Sequence, residues 1–171
     1  MDELTIRAVQ TGDLEGLVAL LLAVVGAGAS VGFLAPLDAA RARAFWTDQI
    51  QGHLAGERVV LVAVDGSGRV VGTGQLSMAL PDNQPHRGDV AKMQVHPEAR
   101  RQGIGRRLLA AVEDEARRHG RTVLVLDTVT GSPAEAMYAA AGWVWVGVIP
   151  DYALWPDGRP CDSTFFYKRL G

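Results

Sequence analysis

Val95-His96-Pro97-Glu98-Ala99-Arg100-Arg101-Gln102-Gly103-Ile104-Gly105-Arg106 is the stretch that decides the fold. A strand-like segment ends at Val95 and is stopped by His96-Pro97. An amphipathic run follows, in which Ile104, Leu108, Val112 and Ala116 recur every four residues. The pattern predicts a strand over 89–95, a loop holding two glycines one residue apart, and a helix over 102–119. A helix start leaves backbone N–H groups unpaired, and its dipole adds partial positive charge there. Gly103 and Gly105 let an anion approach that backbone without Cβ collisions. Arg100, Arg101, Arg106 and Arg107 can add charge-assisted hydrogen bonds. A diphosphate suits such a cradle; the plainer alternative is a solvated helix start. Two other phosphate loops are excluded by residue identity. The nucleotidase loop needs Lys-Ser/Thr after its last glycine, where Arg106-Arg107 stand, and the dinucleotide fingerprint needs a third glycine where Leu108 stands.

Downstream of the cradle, Gly120 ends the helix and 123–128 reads as a buried strand. Ser132-Pro133-Ala134-Glu135 combines a capping hydroxyl, a first-turn proline and a glutamate three after the cap, so a helix follows and ends at Gly142. Strands over 144–149 and 164–170 flank the Pro156-Asp157-Gly158 turn. Upstream, 4–8 alternates as a short strand, 13–25 reads as a helix, and Gly26-Ala27-Gly28-Ala29-Ser30 breaks it. Asp38 caps a second helix running to about 53. Strands over 59–64 and 70–78 are joined by the turn Asp65-Gly66-Ser67-Gly68. The order βααβββαβαββ implies an α/β protein with one central sheet, read as a single domain over 1–171.

Composition narrows the partners. The chain has 171 residues, of which 48% are apolar and 21% charged, as in an ordinary globular protein. A formal net charge of −2 provides no global positive field for nucleic acid or a membrane surface. The longest apolar run, 17–25, is nine residues and too short to cross a bilayer. With no secretory signal recognised, the protein is expected in the cytoplasm. Cys161 is the sole cysteine, which excludes an internal disulfide. His86 and His96 are read as solvated loop histidines, and nothing spaces them as metal ligands, so no metal is expected.

The cradle in its context resembles the GNAT superfamily of acyl-CoA N-acyltransferases. The hallmark Arg/Gln-x-x-Gly-x-Gly/Ala, opening a helix after a strand that ends in Val-x-Pro, is matched by Arg100-Arg101-Gln102-Gly103-Ile104-Gly105. The resemblance implies the GNAT fold, a mixed and largely antiparallel twisted sheet flanked by helices, with acetyl-CoA as cosubstrate. It implies that the backbone from Arg101 to Arg106, with Arg100, holds the coenzyme pyrophosphate. It also implies that Met93, Gln94 and Val95 pair with the pantetheine arm as an added strand would.

Acetyl transfer to an amine requires loss of an ammonium proton, donors for a developing oxyanion, and stabilisation of a departing thiolate. Ala134-Glu135-Ala136-Met137-Tyr138-Ala139-Ala140-Ala141-Gly142-Trp143 resembles the family pattern Ala-x-x-x-Tyr-x-x-x-Gly-Phe, whose tyrosine reaches the coenzyme sulfur; otherwise Tyr138 is a core residue. Asp89 and Asp127 are the candidate bases, against the alternatives of a strand-end charge and a loop-capping acceptor. Further matches spread over nearly the whole chain: Gly28-Ala29-Ser30-Val31-Gly32-Phe33, Leu37-Asp38, Gln75-Leu76-Ser77, Leu126-Asp127-Thr128, Gly131-Ser132 and Pro156-Asp157-Gly158-Arg159. They resemble a toxin-resistance branch of the family that acetylates the amine of a β-lactam toxin and carries acids at both positions. Aspartate at 89 replaces a glutamate there and shortens its reach by one methylene. Gly131 stands where many members have asparagine, and Ser132 is the substitute for that coenzyme contact.

On the acceptor side the segment 26–38 is expected to shape the pocket, with Phe33 as an apolar wall and Ser30 and Asp38 contacting a cationic substrate. The alternative is a tight interhelical connection in which Asp38 only caps. The expected function is transfer of acetyl to a primary amine of a small molecule by direct attack in a ternary complex. The competing readings are a coenzyme A-binding regulatory module without activity, an enzyme acting on protein or peptide amines, and a plain interaction domain. Exposed final strands leave a homodimer open.

Overall fold

Alternating apolar residues in the middle of the chain build a sheet with helices on both faces. The computed structural model describes residues 4–171. Its strands are β1 (Thr5–Ala8), β2 (Arg58–Val64), β3 (Val70–Ser77), β4 (Arg87–Val95), β5 (Val123–Val129), β6 (Val144–Leu154) and β7 (Pro160–Arg169). They form one sheet in the order β1-β2-β3-β4-β5-β7-β6. Every neighbouring pair is antiparallel except β4 and β5. Helices α1 (Leu14–Gly26) and α2 (Ala39–Leu54) cover one face, and α3 (Ile104–Arg118) and α4 (Pro133–Ala140) the other.

The two faces divide the apolar side chains as a period of two demands. Val60 and Val62 join Leu17, Leu21 and Trp46 under α1 and α2. Val59, Leu61 and Ala63 join Leu108, Val112, Leu124 and Tyr138 under α3 and α4. Full burial of side chains such as Leu108 and Leu124 stabilises by about 1.5–3 kcal/mol each. Close seating of α3 depends on small residues in β3. A Cβ at Gly72 would lie 2.9 Å from Leu108 Cδ1, and one at Gly74 would lie 3.2 Å from Val112 Cγ2 and 2.6 Å from Met93 Sδ.

The strands and helices come in the expected order. The final hairpin is longer than alternation suggests: β6 runs on to Leu154 and β7 begins at Pro160. Pro150 and Asp151 (φ 51°) interrupt the pattern, but they fall in a register irregularity between Ile149 and Ala153. β6 is the edge strand, so a proline and an irregularity there break no ladder on the outer side.

The parallel pairing in the middle of the sheet is short. β4 and β5 pair only through Arg87↔Val123, Gly88↔Leu124 and Asp89↔Val125. Beyond those three rungs β4 continues to Val95 and β5 to Val129 without mutual pairing. The strands part into a wedge, and the β5-facing edge of β4 from Val90 onward has no ladder partner.

Candidate active site

At the mouth of the wedge β4 hands the chain to α3. His96 accepts a bond from the Glu98 N–H at 3.3 Å, which organises the short 3-10 turn Pro97–Ala99. Its Nε2 also lies 2.7 Å from Arg69 Nη2. Burial first, and then the Arg69 charge, hold this imidazole below its ordinary pKa. His96 is therefore a capping group and not the solvated loop histidine expected from sequence.

Gly103 is the N-cap of α3 at φ 77°, and no side chain caps the helix. A Cβ there would meet nothing within 4 Å, so the left-handed backbone, not crowding, is what calls for glycine. Gly105 has another reason. Its Cβ would lie 3.2 Å from Met137 Sδ and 3.7 Å from Val95 Cγ2, so it lets α3 pass close to α4. Arg101, at φ 62°, Gln102 and Arg106 are exposed around this helix start, while Ile104 is buried beneath it. Arg100 Nε reaches back to the Val95 carbonyl at 3.4 Å. Arg107 turns away and donates to the Leu4 carbonyl at 3.0 Å, so it does not add to the cradle as the sequence suggested.

Within the wedge the β3–β4 register slips. Thr73 faces Gln94 and Gln75 faces Ala91, so Gly74 alone opposes both Lys92 and Met93. This is a β-bulge, and Lys92 adopts φ 52° in it. Met93 packs against the α3-side core. Gln94 is buried with neither amide atom bonded among the described residues.

Leu124 and Leu126 face α3 and α4, so by alternation Val125 and Asp127 project to the opposite face, and Asp89, the partner of Val125, projects with them. The Asp89 carboxylate accepts a bond from Arg87, whose Nε also donates to Gln84 Oε1 at 2.8 Å. Asp127 has no such ion pair among the described residues. Its side chain is solvent-exposed, yet the surrounding protein desolvates it enough to raise its pKa, opposed by a bond from Ser163 and by the charge of Lys92.

Tyr138 enters from α4 on the other side. It is 4% exposed, its ring centroid 5.9 Å from that of Trp143 and 6.2 Å from that of Phe166. No described residue bonds to its hydroxyl. Burial and then the negative charge of Asp127 push its pKa above the ordinary value, so the phenol stays protonated. Tyr138 and Asp127 thus belong to opposite faces of the sheet on either side of the wedge. Ser132 is committed locally: it caps α4, accepting the Glu135 N–H at 3.2 Å.

On the α1–α2 side, bonds to distant parts of the chain hold residues 27–38. Ser30 Oγ donates to the Leu154 carbonyl at 2.8 Å, Lys92 Nζ to the Val31 carbonyl at 3.1 Å, and the Ala35 N–H to the Pro156 carbonyl at 2.9 Å. Ser30 and Phe33 line a cavity of about 260 Å³ with Gly32, Leu34, Arg41, Ala153 and Leu154. Asp38 is not among the lining residues; its carboxylate accepts the Arg41 N–H at 2.7 Å as the cap of α2.

An uncapped helix start therefore lies beside an unpaired strand edge. The sequence profile of the acetyltransferase (GNAT) family matches residues 32–143. The chain belongs to the GNAT acetyltransferase family. The IAA acetyltransferase of Azospirillum brasilense is 40% identical over 105 residues, covering 61% of this chain and 63% of that protein, so the match spans less than two thirds of that relative. The L-methionine sulfoximine/L-methionine sulfone acetyltransferase of Pseudomonas aeruginosa is 29% identical over 169 residues, 97% of this chain and 94% of the relative. Among solved structures, yncA of Salmonella typhimurium with its cofactor acetyl-CoA superposes with a TM-score of 0.80 at 25% identity, covering 98% of this chain and 94% of that one. The seven-stranded sheet with two helices on each face is the GNAT fold.

Two features of this GNAT protein were not legible beforehand. The Lys92 bulge depends on register between strands distant in sequence. The helical stripe gives no sign of Glu113, whose buried carboxylate accepts Trp143 Nε1 at 2.9 Å and Lys168 Nζ at 2.7 Å. The commitment of Asp38 and Ser132 to caps was foreshadowed by their positions at helix starts.

Proposed function

We propose that residues 1–171 work as one cytoplasmic N-acetyltransferase domain that transfers acetyl from acetyl-CoA to the primary amine of a small molecule, by direct attack in a ternary complex. The observation that carries this reading is the wedge between β4 and β5. It opens to both faces of the sheet, so a coenzyme can lie along the free β4 edge while an amine arrives from the α1–α2 side. The uncapped first turn at Gly103, Ile104 and Gly105, flanked by Arg100, Arg101, Gln102 and Arg106, fits a pyrophosphate. The unpaired edge through Met93, Gln94 and Val95 fits the pantetheine amides, and Ser132, the cap of α4, is assigned a further coenzyme contact. Bound acetyl-CoA supplies the thioester.

The chain's own groups then divide the work. Asp127 takes the ammonium proton, directly or through water, with Asp89 as the second acid; its ion pair with Arg87 makes it the less available of the two. Tyr138, kept as a neutral phenol by burial, donates to the sulfur as negative charge develops there. Phe33 and Ser30 wall the acceptor cavity, and Asp38 fixes the helix start beside it.

The resemblance to the tabtoxin resistance protein and the sulfoximine-acetylating relative support a small polar amine and a role in toxin inactivation. β6 exposes Val144, Trp145, Val146, Val148, Ile149, Tyr152 and Leu154, which supports a homodimer through this edge.

A thiol-release assay with acetyl-CoA and a panel of amines tests the reading, with products identified by mass spectrometry. Turnover with intersecting initial-velocity lines is expected. Parallel lines would refute the ternary complex. Thermal stabilisation by acetyl-CoA without turnover of any amine would instead favour the regulatory module.

A further inference from the structure

Lys92 stands out as the residue least explained by packing. It is half-buried, yet among the described residues no carboxylate lies within ion-pair distance of its ammonium. It is also not a glycine, although the bulge holds it at φ 52°. A left-handed conformation costs a side-chain-bearing residue about 1–2 kcal/mol, and such strain collects at functional sites. The ammonium donates to the Val31 carbonyl at 3.1 Å and lies 5.3 Å from the Phe45 ring centroid and 5.8 Å from that of Phe33. Those two rings meet edge to face at 5.1 Å. A lysine so placed binds the acceptor loop to the bulge through one carbonyl and two aromatic faces.

We propose that Lys92 is a positioning residue for the acceptor half of the reaction: its ammonium clamps residues 27–38 over the bulge of β4 and serves as the fixed counter-charge of Asp127. The second part rests on the proposed role of Asp127 as base. The charged and titratable groups around the pair are few. Asp127 comes from β5, Tyr138 from α4, and Arg41 from the first turn of α2, its guanidinium 5.6 Å from the Phe33 ring. Asp89, on the same strand as Lys92, is bonded to Arg87. Tyr152 of β6 packs on Phe165, the β7 partner of Asp127. Lys92 reaches Val31, Phe33 and Phe45 on the α1–α2 face, and Asp127 projects to that same face from the other strand bordering the wedge, so the two opposite charges share one side of the site.

Lys92→Gly is the informative variant because glycine suits φ 52° and removes the ammonium without adding strain. The variant is expected to keep or raise its melting temperature and to retain acetyl-CoA affinity. Its acceptor KM should rise on the order of tenfold, as expected for lost ground-state binding. Without the counter-charge Asp127 ionises at higher pH, so the acid limb of the kcat/KM profile moves upward. Lys92→Arg should restore the limb, and Lys92→Met should repeat both effects in a bulky background. A carboxyl-carbon NMR titration of Asp127 reads the coupling independently of activity. If Asp127→Asn keeps the wild-type rate profile, the base assignment fails, but the NMR shift and the acceptor KM still judge Lys92. An unmoved Asp127 titration with wild-type KM in Lys92→Gly overturns the proposal, as does an equal loss of acceptor affinity, acetyl-CoA affinity and melting temperature.

Discussion

Replacing Tyr138 by phenylalanine removes one oxygen from a ring that is 4% exposed and otherwise held by Trp143 and Phe166. No protein hydrogen bond is lost, because no described residue bonds to the hydroxyl. A stability change within about 1 kcal/mol is therefore expected. For a chain of this size that is a melting-temperature shift of no more than about 4 °C. The kinetic effect is of another order. General-acid assistance contributes about 10²–10⁴ in rate. A thiol has an ordinary pKa near 8.5, so thiolate is a tolerable leaving group and the low end applies. The expected loss in kcat is about 100-fold, or roughly 2.7 kcal/mol. Acetyl-CoA affinity should change little, because the hydroxyl acts mainly as charge develops on sulfur. Because the phenol pKa is raised, ionisation of Tyr138 should cause no alkaline loss of activity below about pH 10. Steady-state thiol release, titration with acetyl-CoA and a thermal melt on the same preparation separate these quantities. A Tyr138→Phe enzyme with kcat within threefold of wild type would show that the ring is packing alone.

Three more outcomes are expected. Gly103→Glu should fold, since its Cβ meets open space, with a strain cost of about 1–2 kcal/mol from φ 77°, and should lose acetyl-CoA-dependent thermal stabilisation; undiminished stabilisation defeats the cradle. Glu113→Ala strands the Trp143 N–H and leaves Lys168 with the Ala141 carbonyl and solvent, costing about 2–3 kcal/mol and roughly 8 °C in melting temperature; a loss under about 1 kcal/mol would mean that solvent replaces both lost bonds. Asp13 accepts two bonds from Arg7, at 2.7 and 2.9 Å, and these hold its folded pKa below the ordinary value. Its stabilisation is present at neutral pH and is lost as pH falls from about 3.9 towards that lower value, so melts of Asp13→Asn should lack this part of the acid dependence.

What could be read from the chain was local. Ile104, Leu108, Val112 and Ala116 mark their helix face by spacing alone, and Asp38 and Ser132 announce helix starts through side chains that bond three residues on. The roles proposed for Tyr138 and the Gly103–Gly105 turn rest on short motifs, which a sequence displays directly. Glu113 was not legible, because its partners Trp143 and Lys168 stand 30 and 55 residues away. Lys92 reads as an ordinary polar residue in a strand, since a bulge exists only in relation to the partner strand. The strand expected over 144–149 runs on to Leu154, because a proline that breaks a strand elsewhere is tolerated at an outer edge.

The three-rung contact between β4 and β5 has a mechanical consequence. It divides the sheet into a four-stranded half, β1 to β4, and a three-stranded half, β5, β7 and β6, joined by a short seam. A molecule lying along the free β4 edge supplies the rungs that the polypeptide omits, so it acts as a removable strand stitching the halves together. Amide hydrogen exchange over residues 90–95 and 126–129 should therefore slow on saturation with acetyl-CoA. The interior of β2, already laddered to β1 and β3, has no missing rung to gain, and its exchange rate reports only the global opening of the fold.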